Sequence, residues 1–522
     1  MEDNDIIKLI PKKPRGILRI VFSRFFIVFI LLVVQLVLFT TLMVRLMDYI
    51  PYFTVFQIAF EVGIVIYLFN CSMDSSAKLT WLIVITIFPV PGTFMLWFTK
   101  VDIGHSFIRQ RYIQFMKEIH DKIPQDEEVI KNPELVSSGT DDLCRYLNIT
   151  GCYPLHGNTS TEYFPCGEEK YAVLLKELEK AKKFIFMEYF IIDEGEMWGN
   201  ILKILKQKAE QGVEIRVMYD GMCEMSSLSY NYSKKVRKLG IKCKAFSPIR
   251  PLISTYYNYR DHRKILVIDG KTAFTGGVNL ADEYINKRER FGYWKDAAIM
   301  IKGDAVNSFT LMFLQMWNIS ETNPQWEEWL VPKCEKIPDA KGYVMPYGDC
   351  PLDGEKVGEN VYIDILYRAK DYVHIMTPYL ILDGEVETAL EFAAKRGIDV
   401  KIILPGIPDK KAAYALAKTH YRSLLRAGVQ IYEYTPGFVH SKVFVSDDIK
   451  AVVGSINLDY RSLYHHFECA AYMYDTQCIP SIEKDFGETL EKCRKIDENA
   501  IKNEKLFYKV VGGILKPFAP LM

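Results

Sequence analysis

Five residue types recur in this chain at identical spacing. His262, Lys264, Asp269, Gly276 and Asn279 lie in HRKILVIDGKTAFTGGVN, and His440, Lys442, Asp447, Gly454 and Asn457 lie in HSKVFVSDDIKAVVGSIN. Counted from each histidine the offsets are 2, 7, 14 and 17, and the copies stand 178 positions apart. A set repeated at fixed spacing is the mark of a duplicated unit. In both copies His-x-Lys leads into an apolar run suited to a buried strand, and residues two apart on a strand face the same side. Imidazole and ammonium therefore open into one space. Lysine offers a compact positive charge to a phosphate oxygen, asparagine an amide donor, and glycine a close backbone approach. Together they describe an oxyanion site that contains a nucleophile or proton carrier. With two histidines at one site, one can attack phosphorus while the other protonates the leaving oxygen. The bland alternative, two core histidines each satisfied by a hydrogen bond, does not account for the repetition.

Each histidine also needs a carboxylate to orient its ring and stabilise the imidazolium. Asp296 in GYWKDAAIMI and Glu468 in HHFECAAYMY each open an apolar strand, 34 and 28 residues after their own histidines, and are read as those partners. Asp269 and Asp447, five residues past each lysine, fit either a catalytic place or a structural turn. Gly277 stands where the second copy has Ser455, whose hydroxyl would add a hydrogen bond to a bound phosphate, so the half-sites need not be equivalent. His465 and His466 read as surface or pocket-rim residues. Tyr257, Tyr259 and Arg260 read as pocket lining or as plain packing.

In duplicate, HxKxxxxDxxxxxxGxxN resembles the HKD motif of the phospholipase D superfamily. The longer stretches NYRDHRKILVIDGKTAFTGGVNLADEY, FGYWKD and VHSKVFVSDDIKAVVGSINLDYRSLYHHFE resemble the bacterial cardiolipin synthase family, a likeness that covers nearly the whole chain. The resemblance implies two α/β halves about a pseudo-two-fold axis. It further implies phosphatidyl transfer between two phosphatidylglycerols, giving cardiolipin and glycerol, with one histidine as nucleophile and the other as acid and then base. On that pattern His262 is assigned as nucleophile and His440 as acid and base, an order that the near-symmetry of the copies leaves open. Lys264, Lys442, Asn279 and Asn457 would hold the phosphoryl oxygens. No metal or cofactor is expected. The rivals are a same-fold hydrolase, a transferase with another acceptor alcohol, and a non-catalytic membrane scaffold; two intact motifs argue against the scaffold.

The elements that must position these residues repeat as well. EEKYAVLLKELEKAKKF has helical spacing at Val173, Leu174, Leu178 and Ala181 and leads into the strand candidate FIFMEYFII. NILKILKQKAEQG reads as a helix ended by Gly212, before the strand VEIRVMYDG. ENVYIDILYRAKDYVHIMTPYLILDG and ETALEFAAKRGIDVKIILPG repeat this order, aligning Asp193 with Asp383 and Gly212 with Gly397. Such alternation predicts an α/β fold whose sheets are covered on both faces.

The N-terminal text differs. Residues 25–44 carry no charge until the chain has run far enough to cross a bilayer, and apolar stretches follow at 50–70, interrupted by Glu61, and 79–99, with Pro89, Pro91 and Gly92 in it. Residues 1–100 are thus expected to be a membrane anchor of two to three segments, and 101–165 a linker with some helix. Residues 166–335 and 336–522 are the two catalytic halves, the second ending in the apolar tail LFYKVVGGILKPFAPLM, which fits either the membrane surface or the catalytic domain. Lys8, Lys12, Lys13, Arg15, Arg19 and Arg24 favour a cytoplasmic N-terminus, but the number of crossings leaves open which face carries the site. The expected place is the bacterial cell membrane, as a multi-pass protein, with phosphatidylglycerol and membrane lipid as partners. With 65 basic and 65 acidic residues there is no global positive field to argue for nucleic acid. Eleven cysteines without CxxC or zinc spacing read as reduced thiols.

Overall fold

The computed structural model describes residues 6–9, residues 33, 37, 38, 41, 44 and 45, and residues 53–521 apart from 72, 101–104, 121, 249–258, 333 and 339. Two mixed sheets form the body. The first runs Thr159–Phe164, Ala298–Gly303, Thr272–Gly276, Lys264–Ile268, Phe184–Tyr189, Glu214–Asp220, Lys242–Phe246. The second runs Tyr343–Asp349, His466–Tyr474, Lys450–Gly454, Val443–Ser446, Tyr372–Met376, Asp399–Pro405, Gln430–Tyr434, and adds Cys493–Lys495 at its end. Place by place the order is the same. In both, the strand after the motif histidine is central, antiparallel to its hairpin partner and to the strand that follows the first helix of its half.

Strand periodicity explains why these runs are almost wholly apolar. Ile265 and Val267 enter the core shared between the halves, while Leu266 and Ile268 enter a second core on the outer face of the first sheet. Phe184 and Phe186 alternate with Ile185 and Met187 in the same way. Every residue of the helix Val306–Asn318 is buried, and its apolar side chains join the shared core. Helices end where left-handed glycines permit it, at Gly212 (φ +85°) and Gly397 (φ +94°).

The segment 101–165 is not a linker. It carries the helices His105–Ile119, Glu127–Ile130, Pro133–Ser138 and Thr140–Gly151, and its last strand, Thr159–Phe164, is an edge of the first sheet. Tyr112, Phe115 and Ile119, with Leu143, Cys144 and Leu147, pack into the shared core.

The expected segment 25–44 falls almost wholly outside the described residues. The stretch 50–70 contains one helix, Phe53–Asn70. The stretch 79–99 is not one helix: it breaks at Phe88 into Ser75–Ile87 and Pro89–Lys100. Gly92 allows the close return, since a Cβ there would stand 3.0 Å from the Val84 carbonyl oxygen. Among the described residues no helix is long and apolar enough to cross a membrane.

The tail forms the helix Leu506–Leu515 and the 3-10 turn Lys516–Leu521, and it docks on the second half. A Cβ on Gly512 would stand 2.4 Å from the Ala415 carbonyl oxygen, so only glycine permits this approach. Thr80 Oγ1 donates to the Pro517 carbonyl at 2.6 Å, and His465 Nε2 lies 3.3 Å from the Pro520 carbonyl. Leu506, Phe507, Val510 and Ile514 stay exposed. All eleven cysteines are free thiols.

Candidate active site

The two halves exchange their partners. Arg260–Asp261, just before His262, pairs in parallel with His466–Phe467 of the second half, and His262 N donates to the Phe467 carbonyl at 2.9 Å. In mirror fashion Gly437–Val439, just before His440, pairs with Tyr293–Lys295 of the first half, and His440 N donates to the Lys295 carbonyl at 2.7 Å. Phe467 and Lys295 are the residues before Glu468 and Asp296, so each backbone pairing delivers a carboxylate to the histidine of the opposite copy. His262 Nδ1 lies 2.8 and 3.0 Å from the two Glu468 oxygens, and His440 Nδ1 lies 2.6 Å from Asp296 Oδ2. The expected pairing, each carboxylate with its own histidine, is therefore crossed. A carboxylate on Nδ1 sets the tautomer that leaves the Nε2 lone pair available. Among the described residues, neither Nε2 has a hydrogen-bond partner.

Strand parity places the other motif side chains. Lys264 Nζ donates to the His262 carbonyl, and Lys442 Nζ to the His440 carbonyl, so each ammonium stays beside its histidine. Arg263, between the first pair, turns to the other face and donates to Glu188 at 2.6 Å. Both carboxylates are wholly buried, and both rings are more than nine-tenths buried. Burial holds the His262 ring well below the ordinary imidazole range, although Glu468 opposes it. Burial, then Lys442, brings His440 down to about 4. Burial would raise the Glu468 carboxyl, but the His262 ring overrides it and holds the group below the usual carboxylate range. The state favoured is thus a neutral ring against an ionised carboxylate. Burial also lowers Lys264 to about 8 and Lys442 to about 7.

Asp269 and Asp447 lie outside this cluster. Asp269 adopts φ +53° and accepts from the backbone N–H of Lys182, Lys183 and Phe184, tying the motif strand to the start of its neighbour. Asp447, at φ +55°, accepts from Lys370, Asp371 and Tyr372 in the same way. Of the two readings left open, the structure takes the turn. Gly276 and Gly454 admit the neighbouring strand rather than a ligand: a Cβ would stand 2.5 Å from the Ala297 carbonyl oxygen in one and 2.5 Å from the Cys469 carbonyl oxygen in the other.

The Gly277 and Ser455 difference serves the carboxylates. A Cβ on Gly277 would stand 2.0 Å from Asp296 Oδ1. Ser455 instead donates its hydroxyl to Glu468 and accepts from Cys469 N at 3.0 Å, so it is spent on the carboxylate. The asparagines also differ. Asn279 accepts from Ile191 N at 3.0 Å and donates to Tyr284 Oη at 2.8 Å, whereas the buried Asn457 Oδ1 has no hydrogen-bond partner among the described residues.

His466 belongs to the site, contrary to its reading as a rim residue. Its ring is buried, with its centroid 5.2 Å from that of His262. Strand parity was the available signal, since His466 and Glu468 are two apart on one strand and face the same way. In the other half the residue two before Asp296 is Trp294, whose ring centroid lies 5.4 Å from that of His440. Tyr284, also missed, meets His440 edge-on. Arg260 is wholly buried, paired with Asp220 at 3.4 Å and donating to the Ser247 carbonyl, which makes it framework. Tyr259 packs on the His465 ring, and Tyr257 lies outside the described residues.

The chain is similar to known proteins over most of its length. The family model described as "Cardiolipin synthase, PLD-like domain" matches residues 174–317 and 362–490. An uncharacterised protein of Streptococcus mutans is 56% identical over 461 residues, covering 88% of this chain and 100% of that protein. The cardiolipin synthase of Alkalihalophilus pseudofirmus is 32% identical over 466 residues, covering 88% of this chain and 92% of its own. The phosphatidylserine synthase of Haemophilus influenzae, 16% identical, superposes with a TM-score of 0.56 over 73% of this chain and 98% of its own, a likeness of fold. With two copies of the motif, a matching duplicated fold and relatives aligned over most of its length, this chain belongs to the cardiolipin synthase family of phospholipase D-like proteins.

Proposed function

We propose that the protein is a membrane-bound phosphatidyltransferase that joins two phosphatidylglycerols into cardiolipin with release of glycerol. The observation that carries this reading is the crossed pairing of two buried histidines with two buried carboxylates through Nδ1, which supports a role for both Nε2 atoms at one phosphodiester. His262 Nε2 attacks phosphorus, the bond from phosphorus to the glycerol oxygen breaks, and His440 gives that oxygen its proton. The donor's negative charge supplies what His440 lacks alone, because an anion beside the ring favours the protonated form. Glycerol leaves, and the phosphatidyl group stays on His262. The hydroxyl of a second phosphatidylglycerol then loses its proton to His440 as its oxygen attacks phosphorus, and His262 Nε2 departs. Lys264, Lys442 and Asn457 hold the phosphoryl oxygens and offset charge that grows during displacement.

Support for a lipid interface comes from exposed apolar side chains on Phe53–Asn70, on Ser75–Ile87 and Pro89–Lys100, and on the tail, among them Ile66, Phe69, Leu79, Trp97, Leu506 and Phe507. Mass spectrometry of phosphatidylglycerol vesicles incubated with the purified protein tests the reading. Cardiolipin and glycerol, absent with His262→Ala, are the expected products. Phosphatidic acid in their place would make the protein a phospholipase.

A further inference from the structure

His466 is an unusual side chain to bury. It is 7% exposed, and neither ring nitrogen makes a hydrogen bond among the described residues. Its Nδ1 stands 3.5 Å from Glu468 Oε1, the same oxygen that lies 2.8 Å from His262 Nδ1. One ligand atom from each of the three residues falls within 4.8 Å of the others. Two imidazoles and a carboxylate converging in this way are the donor set of a three-ligand zinc site. The opposite half-site has Trp294 in place of His466 and cannot supply the second imidazole.

From this we infer that His262, His466 and Glu468 bind one zinc, or a similar divalent transition-metal ion, and that the bound ion silences the centre. The silencing follows from proton bookkeeping. A neutral imidazole carries one N–H, and in the reactive form that hydrogen is on Nδ1, facing Glu468. A metal taking the Nδ1 lone pair leaves the hydrogen on Nε2, so the nitrogen that would attack phosphorus no longer has a free pair. Nothing is oxidised or reduced, and chelation of the ion restores the original tautomer. The two imidazole donors select against magnesium and calcium, which take oxygen ligands, and for transition-metal ions held by nitrogen.

Silencing rests on the transferase reading; binding does not. The first measurement is therefore equilibrium dialysis of the metal-free, full-length protein against zinc, with the bound metal counted by mass spectrometry. One zinc per chain is expected, lost in His466→Phe and in His262→Ala. Wild-type protein that takes up no zinc, or a folded His466→Phe variant that binds as well as wild type, overturns the inference. Should both variants fail to fold, cobalt decides on the wild type. A visible d–d band without thiolate charge transfer in the near ultraviolet supports the histidine site, and strong thiolate charge transfer assigns the ion to cysteine and refutes it. Zinc bound by a protein whose metal-free form shows no turnover would fault the transferase reading alone, and metal-free turnover that zinc leaves unchanged would fault this one alone.

Discussion

His262 and His440 have the same neighbours in sequence but different ones in space, and their chemistry can be separated on that basis. Glu468→Gln should impair attack by His262, and Asp296→Asn should impair proton delivery by His440, each lowering kcat by about 10²–10⁴-fold with little change in KM. A phosphatidyl donor with a nitrophenol leaving group needs no proton in the first step, so the burst of nitrophenol should return in Asp296→Asn and stay slow in Glu468→Gln; equal rescue of both bursts would contradict the assigned order. The lysines set the pH response. With Lys442 lowered to about 7 and Lys264 to about 8, the ammonium is present below these values and lost as pH rises through them. Donor capture should weaken accordingly. Measured as kcat/KM it should fall above about pH 7–8, while kcat, which reports the loaded enzyme, should not bend there.

At the scale of elements, the aspartate that names the motif acts on strands. Asp269→Ala removes the acceptor for three N–H groups and should cost about 2 kcal/mol in a denaturant titration, with kcat of the folded fraction nearly unchanged. A large loss of kcat at unaltered stability would return Asp269 to the chemistry. Much of this level was legible in the chain. The strands after each histidine and the helices ended by Gly212 and Gly397 follow from a pattern written twice. The crossing was not legible, because Asp296 and Glu468 follow their own histidines at similar distances and spacing carries no information about which half a strand will join. Residues 101–165 were misread for a different reason. Tyr112, Phe115 and Ile119 have helical spacing, but charged neighbours dilute the apolar signal, and the strand Thr159–Phe164 alternates too briefly to stand out. His466 was missed because a pair of adjacent histidines was weighed as a pair, when only one of two neighbours on a strand can face the site.

Across the whole molecule, the tail joins the apolar N-terminal helices to the rim of the catalytic centre. Thr80 meets Pro517, and three residues further Pro520 meets His465, next to His466. Replacing the exposed Leu506, Phe507 and Ile514 by glutamate should lower turnover on phosphatidylglycerol vesicles several-fold, yet spare turnover of a short-chain, water-dispersed donor. Equal loss on both would mean that the helix Leu506–Leu515 supports the fold rather than the lipid contact.

The exchange of carboxylates also bears on how the protein is made. His262 precedes in the chain the carboxylate that orients it by 206 residues, whereas Asp296 precedes His440 by 144. A ribosome that has released the first half has therefore produced a nucleophile with no orienting group and an orienting group with no acid. A chain cut short by premature termination before Glu468 leaves His262 without its orienting carboxylate, so such a fragment is ill-equipped to load a phosphatidyl group that it could not pass on.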